Sequence, residues 1–192
     1  MNIAPRSMTE DEFLALPDDD GVDRELIRGE LRERPSTLRD FAPSVILANV
    51  AYHFQFWRRR QAEPRGLVLG CDALVRLRRD PPTFVGVDVA YVSAEGKPAS
   101  PRRAKYVDGP PVLVVEVLSP HDQHEDIADK VSEYLDAGVP LVWIVDPRFS
   151  TAIVHRPDAR PQLFNVDQEI TAEPHLPGFR VAVADFFEDL DD

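Results

Sequence analysis

One short segment limits the possible folds of this chain more than any other: residues 112–118, Val-Leu-Val-Val-Glu-Val-Leu. An aliphatic run of this length, between Pro110-Pro111 and Ser119-Pro120, predicts a β-strand that is covered on both faces. Glu116 interrupts the run, and an unpaired carboxylate there would cost several kcal/mol or have a strongly raised pKa. We therefore expect a positive charge beside Glu116, in a soluble α/β protein whose buried strand holds a metal-binding or catalytic carboxylate.

Two other interpretations of Glu116 remain open from the sequence. The carboxylate could form a structural ion pair with an arginine or a lysine, or it could lie at the end of the strand and reach water. The structural ion pair predicts that replacing Glu116 by glutamine strongly destabilises the protein.

The local patterns around this strand indicate a mixed sheet with helices. Helical spacing predicts a long helix from about residue 44 to 61, and a second helix is expected from about 123 to 137, closed by Gly138. Arg28-Gly29 is typical of a two-residue hairpin turn. The order strand, helix, strand across residues 111–146 implies a right-handed crossover and a parallel pair of strands. The other predicted strands are 67–78, 84–92, 151–155 and 162–165.

Composition excludes some classes of protein and leaves nucleic-acid enzymes open. The 192 residues carry 34 acidic and 22 basic side chains, a net charge of -12, which argues against a surface coated in basic residues. A cation site needs acids, however, and a nucleic-acid groove needs only a local basic patch such as residues 58–60. The single cysteine, Cys71, excludes an internal disulfide, and no signal peptide or membrane span is evident, so we expect a cytoplasmic protein.

Asp88 repeats the anomaly of Glu116 one strand earlier, within Val-Gly-Val-Asp-Val-Ala-Tyr-Val at residues 85–92. Two carboxylates on neighbouring strands can converge on one divalent cation, which prefers oxygen ligands. The alternative is an aspartate on an edge strand that faces solvent. Because Glu116 repeats this pattern, a cation shared by the two carboxylates is the simpler interpretation.

Lys130 is the third candidate, on the helix that follows the Glu116 strand. It lies at the edge of the apolar face of that helix, so its ammonium can reach the end of the preceding strand. An ammonium beside a metal-bound water or a phosphate would orient the attack and stabilise negative charge. The alternative is an exposed pair with Asp126, worth a few tenths of a kcal/mol.

These residues and their neighbours resemble the Uma-type endonuclease family, which belongs to the PD-(D/E)XK phosphodiesterase superfamily. The resemblance implies a single restriction-endonuclease-like domain over residues 1–192, with a core from about 8 to 187. Its expected architecture is a mixed central β-sheet flanked by helices, with an N-terminal hairpin. The segments that carry it are Asp88, Glu116-Val-Leu-Ser-Pro120, residues 129–139, residues 142–147, the hairpin at 24–31 and Leu176-Pro-Gly-Phe-Arg180.

The resemblance also implies roles for single residues. Asp88 and Glu116 would bind Mg²⁺ or Mn²⁺, and the backbone carbonyl of Val117 would add a further ligand. The superfamily places its lysine two residues after the glutamate, which is Leu118 here, whereas the family places a lysine on the following helix, which matches Lys130. Glu25, in the hairpin, is a weaker candidate for an outer contact to the metal or to water.

The expected function is a metal-dependent endonuclease that hydrolyses phosphodiester bonds of nucleic acid, with DNA as the expected substrate and a homodimer as the expected assembly. Two departures from the pattern are visible. Val87 replaces the proline of the superfamily's name, which has no chemical role, and residues 41–44 replace a histidine that relatives often carry near the start of the long helix. The second departure favours the alternative of a catalytically weak or inactive member that acts as a nucleic-acid or protein binding and regulatory module.

Overall fold

The computed structural model describes residues 7–17, 21–36, 40–120 and 124–190, except for the side chains of residues 124 and 125. Its helices are α1 (Glu10–Leu14), α2 (Phe41–Arg59), α3 (His124–Asp136) and a closing 3₁₀ turn (Val183–Phe186). Its strands are β1 (Val22–Ile27), β2 (Glu30–Pro35), β3 (Leu67–Arg78), β4 (Thr83–Val92), β5 (Val107–Asp108), β6 (Leu113–Val117), β7 (Leu141–Asp146), β8 (Thr151–His155), β9 (Gln162–Asn165), β10 (Glu169–Thr171) and β11 (Arg180–Ala182).

Nine of the strands within the described residues form one mixed sheet, in which the path β2-β1-β4-β6-β7-β8-β9 is joined by β3 and β5. Most neighbours are antiparallel, and β6 and β7 form the parallel pair that the crossover through α3 requires. The mixed sheet, the parallel pair and the N-terminal hairpin are therefore confirmed. Strands β10 and β11 form a separate antiparallel pair.

One edge of strand β4 pairs with two different strands, β1 at Phe84 and β6 from Val89 onward. Phe84 pairs with Arg76 of β3 and with Leu26 of β1, so β1 and β3 lie on opposite edges of β4. Val89 pairs with Gly70 of β3 and with Val115 of β6, so β6 also lies opposite β3. The stretch of β4 between Phe84 and Val89 thus lies where β1 ends its pairing and β6 begins.

The helices cover the two faces of the sheet, and β6 contributes alternate side chains to each layer. Residues 113, 115 and 117 pack in an apolar cluster with α2 and the C-terminal elements. Val114 and Leu118 pack in a second cluster with α3. Glu116 lies between them in this alternation, so its side chain belongs to the face that α3 covers.

Helix α3 carries a row of carboxylates that holds the β1–β2 hairpin. The acids recur at intervals of three and four residues, which places them on one face of the helix. The hairpin therefore lies across α3, and β1 is brought next to the inner side of that helix. The pairs are Arg28–Glu133 (2.5 Å), Arg28–Asp136 (2.8 Å), Arg32–Asp129 (3.7 Å) and Arg34–Asp126 (3.2 Å).

The structure differs from the prediction at the start of α2 and in the segment after β4. Helix α2 begins at Phe41, about three residues earlier than expected, because Pro43 lies in the first turn, where a backbone N–H has no helical partner to lose. The segment 93–109, in which no strand is predicted, contains β5, which pairs in parallel with β3. Two residues are too few for a periodic pattern to reveal a strand.

Arg76 joins three elements from a nearly buried position. Its guanidinium donates to Asp108 of β5 (2.9 Å) and to Glu10 of α1, and it is 7% exposed. The hydrogen bonds from Arg76 are the largest cause that lowers the pKa of Glu10 and of Asp108. Such carboxyls stabilise the fold above their ordinary pKa values of 4.5 and 3.8, and this contribution is lost as the pH falls below them.

We predict that Arg76→Met lowers the free energy of unfolding by about 3 kcal/mol at neutral pH, because two carboxylates lose a nearly buried partner. Urea titrations should show that the difference from wild type shrinks below about pH 4, where these carboxyls become protonated. Arg79→Met is the matched control, since Arg79 also contacts Asp108 (2.7 Å) but is 74% exposed. If Arg76→Met lowers the free energy of unfolding by the same amount at every pH, the ion pairs of Arg76 with Glu10 and Asp108 do not cause the loss.

Candidate metal centre

Asp88 and Glu116 occupy adjacent strands at the place where β4 and β6 begin to pair. Val89 of β4 pairs with Val115 of β6 in antiparallel orientation, and Asp88 precedes Val89 while Glu116 follows Val115. Both side chains are buried, with exposed fractions of 4% and 7%. The N–H of Val117 donates to Oδ2 of Asp88 (2.8 Å), so Asp88 is anchored to the backbone next to Glu116. Asp88 is therefore not a solvent-facing aspartate.

Lys130 reaches this pair of strands from α3. Its Nζ lies 3.2 Å from Oε1 and 3.3 Å from Oε2 of Glu116, and 3.3 Å from Oε1 of Glu25. Asp126, the alternative partner on the helix surface, instead contacts Arg34 at 3.2 Å. The fold thus brings Lys130 to Glu116 and Glu25, and Asp88 lies within the same electrostatic neighbourhood.

The backbone of Gly86 completes the support of Lys130. Its carbonyl accepts from Lys130 Nζ (2.9 Å) and its N–H donates to Glu25 Oε1 (3.2 Å). Gly86 lies in the stretch of β4 between the residues that pair with β1 and those that pair with β6. Side chains from the hairpin and from α3 therefore bond to the backbone at this point of the strand.

Tyr134 is a member of the cluster that the sequence pattern did not identify as functional. Its position on the apolar face of α3 predicted only a core residue, and it is indeed fully buried. Its hydroxyl donates to Oε1 of Glu116. The available signal was its spacing of four residues from Lys130, because residues at this spacing point to the same place from a helix.

The charges of the cluster shift the pKa values of its members. Burial raises the pKa of Glu116 to about 8, the charges of Asp88 and Glu25 add to this, and Lys130 and Tyr134 oppose it. Burial acts to lower the pKa of Lys130, but the charge of Glu116 and its acidic neighbours outweighs burial and raises it. Lys130 therefore keeps its positive charge. The pKa of Tyr134 is raised by burial and by Glu116, so its hydroxyl keeps its proton.

A family model described as "Putative restriction endonuclease", Uma2, matches residues 10–184. This chain belongs to the Uma2 family. A crystal structure described as a "putative nuclease belonging to DUF820" from Anabaena variabilis superposes with a TM-score of 0.77 at 18% identity. The match covers 94% of this chain and 97% of the other, and it confirms the restriction-endonuclease-like fold. The search of functionally curated proteins found no significant match.

Within the described part of this Uma2 chain, no helix combines the length and the apolarity needed to cross a membrane.

Leu118 lies two residues after Glu116, the position at which the PD-(D/E)XK pattern has a lysine. It is buried in the apolar cluster under α3, on the same face of β6 as Glu116. A residue two positions after the glutamate shares its face because side chains of a strand alternate with period two. In this Uma2 chain Leu118 packs in the apolar core, and the ammonium beside Glu116 comes from Lys130 on the helix that covers the same face.

The donors around Asp88 and Glu116 fit a cation that takes few protein ligands. Among the described residues, no group of three or more His, Cys, Asp or Glu side chains is arranged to hold a metal. Mg²⁺ usually keeps several waters and binds through one or two carboxylates, so it needs no larger group. Both oxygens of the Glu116 carboxylate contact Lys130, and Oε1 of Glu25 contacts Lys130 and Gly86.

The start of α2 lies beside the end of β6. A pocket there is lined by Asp40, Ala42 and Pro43 from the helix start and by residues 118–120 after the strand. Ala42 and Pro43 belong to the segment 41–44, where the family resemblance leads us to expect a histidine, and they line this pocket.

We predict that Lys130→Met destabilises the protein by about 2–4 kcal/mol in the presence of a chelator, because Glu116 and Glu25 lose their ammonium partner while the aliphatic stem is kept. Urea unfolding measures this loss, with Lys105→Met, at an exposed position, as the control. In the double variant with Glu116→Gln, the loss should be smaller than the sum of the two single losses. Additive losses would show that the two side chains do not interact.

Proposed function

We propose that this protein is a Mg²⁺- or Mn²⁺-dependent nuclease that hydrolyses phosphodiester bonds of DNA. The observation that carries the proposal is the convergence of Asp88, Glu116 and Lys130, from β4, β6 and α3, on one buried cluster. Membership of the Uma2 family and the restriction-endonuclease-like fold support the same class of chemistry.

Asp88 and Glu116 would hold the cation, with the backbone carbonyl of Val117 as a further ligand. Their hard oxygen atoms suit Mg²⁺ and Mn²⁺. Burial, with a smaller contribution from the charges of Asp88 and Glu25, raises the pKa of Glu116, and a bound divalent cation would favour its ionised form. When bound, the cation would lower the pKa of a water and neutralise the phosphate that is cleaved.

Lys130 would act on the phosphate or on the attacking water as a fixed positive charge. Its raised pKa makes it a poor proton acceptor, which favours an electrostatic role over that of a general base. The carbonyl of Gly86 and the carboxylate of Glu25 contact the ammonium and would keep it in place if Glu116 bound a cation. Glu25 would contribute in this supporting position and as an outer contact to water.

We predict that Glu116→Gln and Asp88→Asn each weaken Mn²⁺ binding at least about tenfold, because each removes a charged ligand. Titration calorimetry of the chelator-treated protein measures the affinity. Glu169→Gln, an exposed glutamate paired with Arg180 at 3.5 Å, is the control and should bind as wild type does. Unchanged Mn²⁺ affinity in both site variants would show that Asp88 and Glu116 are not ligands of the metal.

We predict that Lys130→Met separates binding from cleavage. Mn²⁺ affinity should stay the same or increase, because the variant loses a cation that competes for Glu116. The cleavage rate of a DNA substrate should fall about 10²–10³-fold, because the negative charge that develops on the phosphate is no longer stabilised by the ammonium. Cleavage at the wild-type rate would exclude a catalytic role for Lys130.

The altered start of α2 favours a second candidate, a catalytically weak or inactive member that binds nucleic acid or protein through the same cleft. Phe41, Ala42, Pro43 and Ser44 supply no imidazole beside the end of β6. A single-turnover assay with excess protein distinguishes the two. Cleavage that depends on Glu116 supports the nuclease, whereas retention of DNA without any Glu116-dependent product supports the binding module.

DNA as the substrate and a homodimer as the assembly are further parts of the proposal. Both follow from the resemblance to restriction endonucleases, in which two single-site subunits cut the two strands of a duplex. Parallel assays on plasmid DNA, single-stranded DNA and RNA identify the substrate. Analytical ultracentrifugation at micromolar concentration measures the assembly, and a monomer that cuts both strands would contradict the dimer.

A further inference from the structure

We infer that Tyr134 is a positioning residue: its hydroxyl fixes the Glu116 carboxylate so that one oxygen faces the cation, which makes the site select Mg²⁺ over Ca²⁺. This inference rests on the proposed function, because it needs Glu116 to be a ligand. It goes beyond that proposal by assigning the choice of cation to a residue that does not itself touch the metal.

The two oxygens of Glu116 have unequal surroundings. Oε1 accepts from the Tyr134 hydroxyl and lies 3.2 Å from Lys130 Nζ. Oε2 lies 3.3 Å from Lys130 Nζ. With the hydroxyl directed at Oε1, rotation of the carboxylate is restricted, and Oε2 is the oxygen with fewer protein donors.

The hydroxyl can hold the carboxylate because the ring that carries it is itself held. Tyr134 is fully buried in the apolar cluster between α3 and the sheet, which also contains Val131 and Val142. Two torsion angles orient a tyrosine side chain, and close packing restricts both. The position of the hydroxyl is thus determined by the fold rather than by the ligand.

The number of oxygens that a carboxylate offers distinguishes the two cations. Ca²⁺ accepts six to eight ligands in flexible geometry and binds carboxylates through one or both oxygens, whereas Mg²⁺ demands near-octahedral geometry. In Glu116, Oε1 is engaged by Tyr134 and Lys130 and Oε2 by Lys130 alone, so Oε2 is the oxygen more open to a cation. That arrangement suits Mg²⁺ and disfavours the two-oxygen contact that Ca²⁺ can make.

Tyr134→Phe removes the hydroxyl and keeps the ring. Titration calorimetry with MgCl₂ and with CaCl₂ should show Mg²⁺ affinity about tenfold weaker in the variant, as is common when a supporting partner of a ligand is lost. Ca²⁺ affinity should fall less or increase, so the ratio of the two affinities changes. Tyr52→Phe, which removes an exposed hydroxyl from α2, should leave both affinities unchanged.

The outcomes separate this inference from the proposed function. If wild type shows no divalent binding that depends on Glu116, the proposed metal site fails. If wild type binds Mg²⁺ through Glu116 and Tyr134→Phe keeps the wild-type ratio of Mg²⁺ to Ca²⁺ affinity, the inference alone is overturned. A purely structural Tyr134 would lower the free energy of unfolding without altering that ratio.

A measurement on wild type covers the case in which Tyr134→Phe does not fold. Infrared difference spectra upon Mg²⁺ binding report whether a carboxylate binds through one oxygen or two, from the separation of its two stretching bands. The inference expects the one-oxygen separation for the Glu116-dependent bands and binding of Mg²⁺ at least as tight as that of Ca²⁺. A two-oxygen separation, or tighter binding of Ca²⁺, would overturn it.

Discussion

The burial of the Glu116 carboxylate in an otherwise aliphatic strand is the constraint to which the surrounding structure responds. Such a group must be compensated by positive charge and by hydrogen bonds, or it remains protonated. Lys130 provides the charge and Tyr134 the hydrogen bond, both from one side of α3. Lys130 in turn is held by Glu25 and by the carbonyl of Gly86. One buried charge therefore links β6, α3, β4 and the N-terminal hairpin.

The topology of the sheet makes room for these contacts. Strands β1 and β6 pair with different parts of the same edge of β4, at Phe84 and from Val89 onward. Between these positions, the backbone of Gly86 bonds to side chains that arrive from the hairpin and the helix. The row of arginine–carboxylate pairs between the hairpin and α3 keeps both in place. A polar cluster can thus form inside a sheet without leaving its backbone groups unsatisfied.

The position of the lysine shows how one geometry can arise from different places in a sequence. A lysine two residues after the glutamate shares its face of the strand, and a lysine on the covering helix approaches that same face. In this Uma2 chain Leu118 fills the strand position with a packing side chain, and Lys130 brings the ammonium from α3. The proposed chemistry requires a positive charge beside the glutamate, and either element can supply it.

The sequence by itself determined the features that local patterns encode. The aliphatic run with its charged residue, the hairpin turn at Arg28-Gly29 and the helix register of Lys130 each depend on neighbouring residues, and the strand–helix–strand order implied the parallel pair. Only the tertiary structure decided that Glu25 contacts Lys130 and that Tyr134 donates to Glu116, because these contacts depend on how the hairpin and α3 pack on the sheet. The short strands β5, β10 and β11 also needed the folded chain, since two or three residues have no periodicity and become strands only through their partners.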